Sequence, residues 1–326
     1  MSKIRPPAKT RCLSRCRALI GVFLATAFAS AGAFAADWVE RPYNPPVGSR
    51  WIIQRDLYAE QNDNGTISKK TFKITSELKI VGKTAEGFEV IYARRNFSYD
   101  NDDAEEQAMA RPALQALQGI EYRVVTDAAG TPQRVENLAD VKSAVRGMID
   151  AIAKGNSDPQ VAEAMRQTLA PMLEVDEAGA AGFYLDQLPA LAAGQNTGLK
   201  LGETRRNSIT RSSPLGDLVI NRTLTIAEAD AATGDVKIVL TESYDPDSIR
   251  AFLHQMLERL GRNGTDVSEP EKNIKDLELS LDGRTEYKVV DGMTRSLVEE
   301  STTTANLSGT RRVIKDRKVV TVTPAP

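Results

Sequence analysis

A five-residue stretch, Glu121-Tyr122-Arg123-Val124-Val125, returns with one change as Glu286-Tyr287-Lys288-Val289-Val290, and each copy runs on through an Asp to a Gly. The alternation puts Tyr122 and Val124 on one face and Glu121, Arg123 and Val125 on the other, which suits a half-buried strand leading into a turn. Two further matches precede it in the same order. Ser98-Tyr99-Asp100-Asn101-Asp102 answers to Ser243-Tyr244-Asp245-Pro246-Asp247, and Val47-Gly48-Ser49-Arg50 to Leu201-Gly202-Glu203-Thr204. Three matches in one order predict a duplicated, strand-rich chain.

The strands around these matches alternate cleanly. Phe72, Ile74, Leu78 and Ile80 share one face while Lys73, Thr75, Glu77 and Lys79 share the other, and Phe88, Val90 and Tyr92 repeat the period of two. Asn64-Gly65 is a two-residue hairpin signal. No helix-length crossover separates these runs, so antiparallel pairing is expected. In the second half Leu218, Ile220, Leu224 and Ile226 form one strand face, Thr233-Gly234 a turn, and Val236, Ile238 and Leu240 the partner. Leu277 to Val289 and the Ser/Thr-rich run Arg295 to Thr304 read as further strands, with a last edge strand over Val319 to Val322.

Helical signals interrupt the strands at three places. The acids Asp102, Asp103, Glu105 and Glu106 open a helical segment that runs to about Leu117 and is kinked at Pro112. Ile249, Phe252, Leu253, Met256, Leu257 and Leu260 make one apolar stripe that Asp245-Pro246 starts and Gly261 ends. Between the halves, Val141, Val145, Met148, Ile149 and Ile152 form a stripe, and Asp158-Pro159 caps a second helix that carries Met165 and Leu169. An apolar piece follows, with Phe183, Tyr184, Leu185, Leu188 and Leu191 set between Gly179/Gly182 and Gly194/Gly198. Permissive backbone on both sides of an apolar face marks a candidate lid.

The first 17 residues hold six bases and no acid, an apolar run follows from Ala18 to Gly32, and Ala33-Phe34-Ala35 is a small-x-small triplet. This is the layout of a secretory signal peptide cut after Ala35. The expected organisation is therefore a signal peptide over 1–35, a first β-rich repeat over 36–137, a helical linker or lid over 138–198 and a second β-rich repeat over 199–326. Cys12 and Cys16 both precede the apolar run, so a mature chain of 291 residues would hold no thiol and would rest on core burial alone. With 42 basic and 44 acidic residues in all and six bases in the leader, that chain carries 36 against 44, a net charge of −8. Such a balance speaks against nucleic acid as a partner. The mature chain also shows no transmembrane segment, which points to a periplasmic or secreted protein.

Chemistry is sparse. His254, the single histidine, falls off the apolar stripe of its helix and reads as solvated, which leaves Ser–His and Cys–His nucleophiles and a His-bearing zinc site without support. The paired Ser-Tyr-Asp-x-Asp elements lack the glycine and distal Glu of an EF-hand loop and read as helix caps. No phosphate-cradling loop is present. No cofactor, metal ligand or catalytic residue is expected, and the chain reads as non-enzymatic.

Hairpin strands, a capped helix and more strands, twice over behind a leader, resemble secreted bacterial envelope proteins with two β-rich repeats. More distantly the layout is similar to the half-barrel of the periplasmic lipoprotein carriers. That resemblance implies an α+β fold with a duplicated, mainly antiparallel curved β-sheet, half-barrel-like, and helices packed on one face. It also implies an apolar cavity between sheet and helices for a lipid or other hydrophobic ligand. Candidate ligand-binding residues are Phe183, Tyr184, Leu185, Leu188 and Leu191 in the lid and Tyr122 and Tyr287 on the sheet. The rival expectation is an envelope scaffold that binds other proteins and no small molecule; the two differ in whether a cavity of roughly 300–1,000 Å³ lies under the lid.

Overall fold

The computed structural model describes residues 40–101, 115, 118–155, 166, 173–185, 188–193, 197–213, 216–230, 232–262, 278–307 and 310–326. The expected leader, the helix over 102–117 apart from Gln115, the helix after Asp158-Pro159 apart from Arg166, Gly194 and residues 263–277, with Leu277 of the expected strand among them, lie outside the described residues. Glu40–Pro326 forms one compact unit.

Eleven strands make one sheet: β1 (Arg50–Asp63), β2 (Thr66–Lys83), β3 (Gly87–Asn101), β4 (Glu121–Asp127), β5 (Pro132–Val135), β6 (Thr204–Ser213), β7 (Gly216–Ala229), β8 (Val236–Tyr244), β9 (Glu278–Val290), β10 (Met293–Leu307) and β11 (Thr310–Pro324). Their spatial order is β5-β4-β3-β2-β1-β11-β10-β9-β8-β7-β6, open at β5 and β6. Every pairing is antiparallel. Nine of the ten pairings join strands consecutive in sequence, and the tenth joins the first strand to the last. Two hairpins follow directly from their turn residues. Asn64 and Gly65 have φ of 50° and 94°, Asp291 and Gly292 of 51° and 73°, the consecutive positive values that a tight two-residue hairpin needs.

β11 departs from expectation. It is a 15-residue interior strand between β1 and β10, not a short edge strand over 319–322. Its apolar residues are diluted by Arg311, Arg312, Lys315, Arg317 and Lys318, which hid its length. Neighbouring strands answer these charges: Lys318 reaches Glu299 at 2.6 Å, Arg312 reaches Asp63 at 2.5 Å and Arg317 reaches Glu300 at 3.3 Å.

The inner face of the sheet is apolar. Trp51 and Ile53 of β1, Leu78 and Ile80 of β2, Tyr92 of β3, Leu297 of β10 and Val322 of β11 belong to one buried cluster. Helix α1 (Leu138–Gly155) lays Val141, Val145, Met148 and Ile149 into the same cluster, as their spacing predicts, while the Ile152 side chain lies outside the described residues. Helix α2 (Glu177–Tyr184) and a 3₁₀ turn (Leu188–Ala192) complete that layer. Helix α3 (Pro246–Arg262) lies against β7. Asp245 caps it by accepting from the Ser248 N–H at 2.8 Å, Ile249 is buried, Phe252 and Leu253 are half-buried, and Arg250 and His254 are exposed. Its Met256, Leu257 and Leu260 side chains lie outside the described residues.

One end of the sheet is crossed by the extended residues before β1. Glu40 accepts from the Thr197 N–H and hydroxyl, each at 3.0 Å, Arg41 pairs with Asp291 at 2.5 Å, and the Tyr43 ring stands edge-on to Phe88 at 5.4 Å. This crossing explains two glycines. A Cβ on Gly292 would fall 2.4 Å from the Pro42 carbonyl oxygen, and one on Gly130 would fall 2.7 Å from the Tyr43 ring. Both residues also have positive φ, so the close approach and the turn make the same demand.

On the outer face Glu77 of β2 ties three strands together. It accepts from Arg50 of β1 at 2.7 Å and from Arg95 of β3 at 3.1 Å. Arg50 first, and then Arg95, hold its carboxyl below the usual carboxylate range. A lowered acid pKa means stability that is present above the unfolded value and lost as pH falls through the folded one. Glu77→Gln should therefore cost up to about 1 kcal/mol at neutral pH, with the difference closing as the medium is taken below about pH 4. Paired thermal melts across that range check this; a pH-independent difference would show that the carboxylate charge is irrelevant.

Candidate functional site

The site lies where α2 and the 3₁₀ turn meet the inner face. The Asp176 side chain starts α2 by accepting from the Gly179 N–H at 2.7 Å, and Gly179 and Gly182 both sit inside the helix. They are helical residues, whereas Gly198 on the far side has φ of 58°. α2 lies against β5 and the 3₁₀ turn against β10. Tyr184, Leu185, Leu188 and Leu191 are all buried in the core cluster. The Phe183 side chain lies outside the described residues.

Ile53, Ser76, Tyr92, Leu297 and Val320 line a cavity of about 20 Å³ beneath Leu188 and Leu191. These five residues come from β1, β2, β3, β10 and β11, and Arg55, Thr294 and Lys318 of the same strands complete the lining. Along a flat sheet β3 and β10 would be four strand spacings apart, about 19 Å, too far for side chains to close round so small a space. The inner face is therefore concave here. The volume is that of about one water and well below a ligand pocket. In this structure the cover fills the concavity.

The two tyrosines taken from the repeated strand do not meet. Tyr122 on β4 stands opposite Tyr92, with ring centroids 6.1 Å apart, and meets Tyr184 of the cover at 6.2 Å. Tyr287 on β9 lies six strand spacings further along the sheet, about 29 Å, between Ile238 and Leu297. It packs at the margin of the core, where burial pushes its phenol up to about 12. Burial likewise raises Tyr122 and Tyr184, so all three phenols stay protonated at neutral pH.

Polar groups under the cover were not expected. Arg94 of β3 points inward beside Tyr122, its Cζ 5.5 Å from the ring centroid, and its Nη2 donates to the Tyr184 carbonyl at 3.0 Å. The period of two places Arg94 inward, and a bulge follows it. Arg94 pairs with Ser76 and Asn96 with Thr75, so Arg95 is left over and turns to the outer face, where it reaches Glu77 and Glu121. Tyr92 donates to the Ser76 hydroxyl at 2.9 Å. Among the described residues the Tyr122 hydroxyl, the Thr294 hydroxyl and Arg94 Nε are buried without a hydrogen-bond partner. The sequence did carry a signal for Arg94: it occupies the next inward position after Phe88, Val90 and Tyr92.

A wider cleft of about 520 Å³ opens elsewhere, beside Glu228, Lys237, Glu286 and Lys288. Its Lys237 is paired with Glu286 at 3.2 Å and Glu228 at 3.6 Å, and its wall also holds Asp235, one carboxylate oxygen of which is buried without a hydrogen-bond partner. Among the described residues no group of three or more His, Cys, Asp or Glu gathers as a metal site, and no helix is long and apolar enough to cross a membrane.

No protein-family model and no curated protein matches the chain. Among solved structures it is similar to one of lipid–protein interactions in lipovitellin, at 9% identity over 86% of this chain and 26% of that one, TM-score 0.43. It thus spans about a quarter of the lipovitellin chain. It is also similar to an outer membrane channel from Pseudomonas putida F1, at 9% identity over 86% of this chain and 97% of that one, TM-score 0.17. OccK2 (OpdF) of Pseudomonas aeruginosa follows, at 6% identity over 85% and 98%, TM-score 0.19. With every TM-score below 0.5, these likenesses carry no functional argument, and the reading rests on the site itself.

An orphaned buried hydroxyl costs about 1–3 kcal/mol of desolvation. Tyr122→Phe keeps the ring and removes only that hydroxyl, so it should leave stability unchanged or raise it by about 1 kcal/mol in denaturant melts. A loss of more than about 1 kcal/mol would show that the hydroxyl has a partner in solution.

Proposed function

We propose that the protein is a non-enzymatic carrier of the bacterial envelope, exported by its leader, that takes a lipid or other hydrophobic ligand against the concave face of its sheet. One observation carries this reading. The concavity is filled by Tyr184, Leu185, Leu188 and Leu191, side chains of a segment that is no part of the sheet and can leave it without breaking a strand pairing. In the empty state the cover occupies the ligand's place, and on loading it lifts and its apolar side chains line the ligand. Phe183 belongs to this cover, and Tyr122 to its floor; Tyr287, far along the sheet, would meet only a long ligand.

The scaffold reading keeps one observation in its favour, the cavity of only about 20 Å³ under the cover. Hydrogen exchange separates the two. In the carrier, amides of 177–192 are less protected than those of β1, β2 and β3 and gain protection when oleate is added. Equal protection of cover and sheet, unaltered by oleate, would sink the carrier and leave a protein-binding scaffold.

We infer in addition that β1–β5 and β6–β10 descend from one duplicated unit. Matching anchors support this. Gly48 donates to the Ile80 carbonyl at 2.8 Å and Ile80 to that of Ser49 at 3.0 Å; Gly202 donates to Ile226 at 2.8 Å and Ile226 to Glu203 at 3.3 Å. A register shift follows each isoleucine, and Tyr122 and Tyr287 each lie on the fourth strand of their run. The match has a slip: Tyr122 shares a row with Leu78 and Tyr92, whereas Tyr287 shares one with Ile226 itself. An experimental structure without the Gly202–Ile226 bonds would overturn the inference.

A further inference from the structure

The polar atoms under the cover go beyond what a purely apolar ligand needs. Arg94 is a cation on the inner face of a sheet whose surroundings are aromatic and aliphatic, and no carboxylate among the described residues pairs with it. Its outward neighbour Arg95 has two, Glu77 and Glu121, and Arg50 shares Glu77. Arg94 instead rests on a phenol ring and a backbone carbonyl, and its Nε–H is buried with nothing to donate to. Tyr122, fully buried, holds a hydroxyl in the same condition beside it, and Thr294, 1% exposed, holds another at the cavity wall. Arg94 Nε and the neighbouring Tyr122 hydroxyl, two donors without acceptors, are what a cover leaves behind when it excludes water but does not replace it.

We propose that Arg94, with the Tyr122 hydroxyl beside it, seats the acidic head group of an acyl-chain ligand, the chain itself lying where Leu188 and Leu191 now pack. A guanidinium presents its Nε–H and one Nη–H as a fork that matches the two oxygens of a carboxylate or phosphate, and such charge-assisted pairs are stronger and more selective than neutral ones. The fork is half used in this structure. Nη2 is held by the Tyr184 carbonyl, the last residue of α2, so an arriving anion competes with the cover for the same donor. Binding of the head and release of α2 are then one exchange. The Tyr122 hydroxyl, protonated because it is buried, can only gain by donating to that anion. Thr294 is a further donor on the floor, near the Ser76–Tyr92 pair.

The inference rests on the carrier reading and can fail without it. Calorimetric titration of the purified protein with oleate, oleyl phosphate and oleyl alcohol, delivered from cyclodextrin, separates the two. Wild type should bind the tighter of the two acids at least about tenfold better than the alcohol, and Arg94→Gln should bring acid and alcohol within about twofold of each other. Whichever acid binds tighter tells a free fatty acid from a phospholipid-type head. Should Arg94→Gln fail to fold, Tyr122→Phe, which keeps its ring, should still lower the acid preference by about twofold or more. Equal binding of acid and alcohol by wild type, or an acid preference that survives in both variants, would overturn the head-group seat while leaving a carrier of neutral hydrophobic ligands. Binding of none of the three would remove the carrier reading and this inference together.

Discussion

The pairing of β1 with β11 holds the molecule together. Thirteen residue pairs, from Trp51 opposite Pro324 to Asp63 opposite Arg312, join a strand near the start of the described chain to its last strand. Without that ladder the two runs of hairpins would be separate sheets, each with a long unpaired edge. With it, apolar residues from both chain ends meet on one face: Ile53 stands opposite Val322, and Val320 opposite Leu297 on the next strand. The floor beneath Leu188 and Leu191 is built from these same residues. The concave site thus exists only because the sheet closes across its non-local seam, and neither run of hairpins contains it alone.

Much of this was legible in the sequence, and the reasons for success and failure are physical. Period-two alternation reports which face of a strand is buried, and it placed Leu78, Ile80, Val90 and Tyr92 correctly. Turn residues that need positive φ located the hairpins at Asn64 and Asp291. β11 was misjudged because its inward positions include the charged Arg312, Asp316 and Lys318, and Arg312 is met by Asp63, a neighbour far away in sequence. A strand of that kind shows low apolar content locally, and no local pattern reveals a partner some 250 residues off. The site shows the same division. Tyr184, Leu185, Leu188 and Leu191 were recognisable as an apolar segment, but their depth of burial depends on the curvature of five strands. Arg94 sat at a readable inward position, but that its guanidinium meets Tyr122 and the Tyr184 carbonyl depends on packing no local pattern reports.

The cover is under two opposed demands. Its leucines gain by burial, each contributing about 1.5–3 kcal/mol relative to exposure, which favours a closed state with almost no space beneath. The groups it encloses at Arg94, Tyr122 and Thr294 lose hydration without gaining partners, which works against closure by about 1–3 kcal/mol for each neutral hydroxyl. A cover held by apolar contact over unsatisfied polar atoms is less firmly shut than its burial alone implies. On the outer face Glu77 and Lys237 lack this tension, because both find opposite charges there.

The seam between β1 and β11 also sets an order of events in time. A chain threaded out of the cytoplasm from its N-terminus would deliver β1 early and β11 last, and until then the whole length of β1, from Trp51 to Asp63, presents unpaired N–H and C=O groups on one side. Contacts of such long sequence separation form slowly, and an edge left waiting is the kind that captures the wrong strand. Alternate charges along β1 and its partner, Asp56, Glu60, Lys315 and Arg317 among them, make that edge selective for one complement and a poor template for a second copy of itself. The polar residues that obscured β11 as a strand thus also suit the edge of β1 to this one complement while β11 is still on its way.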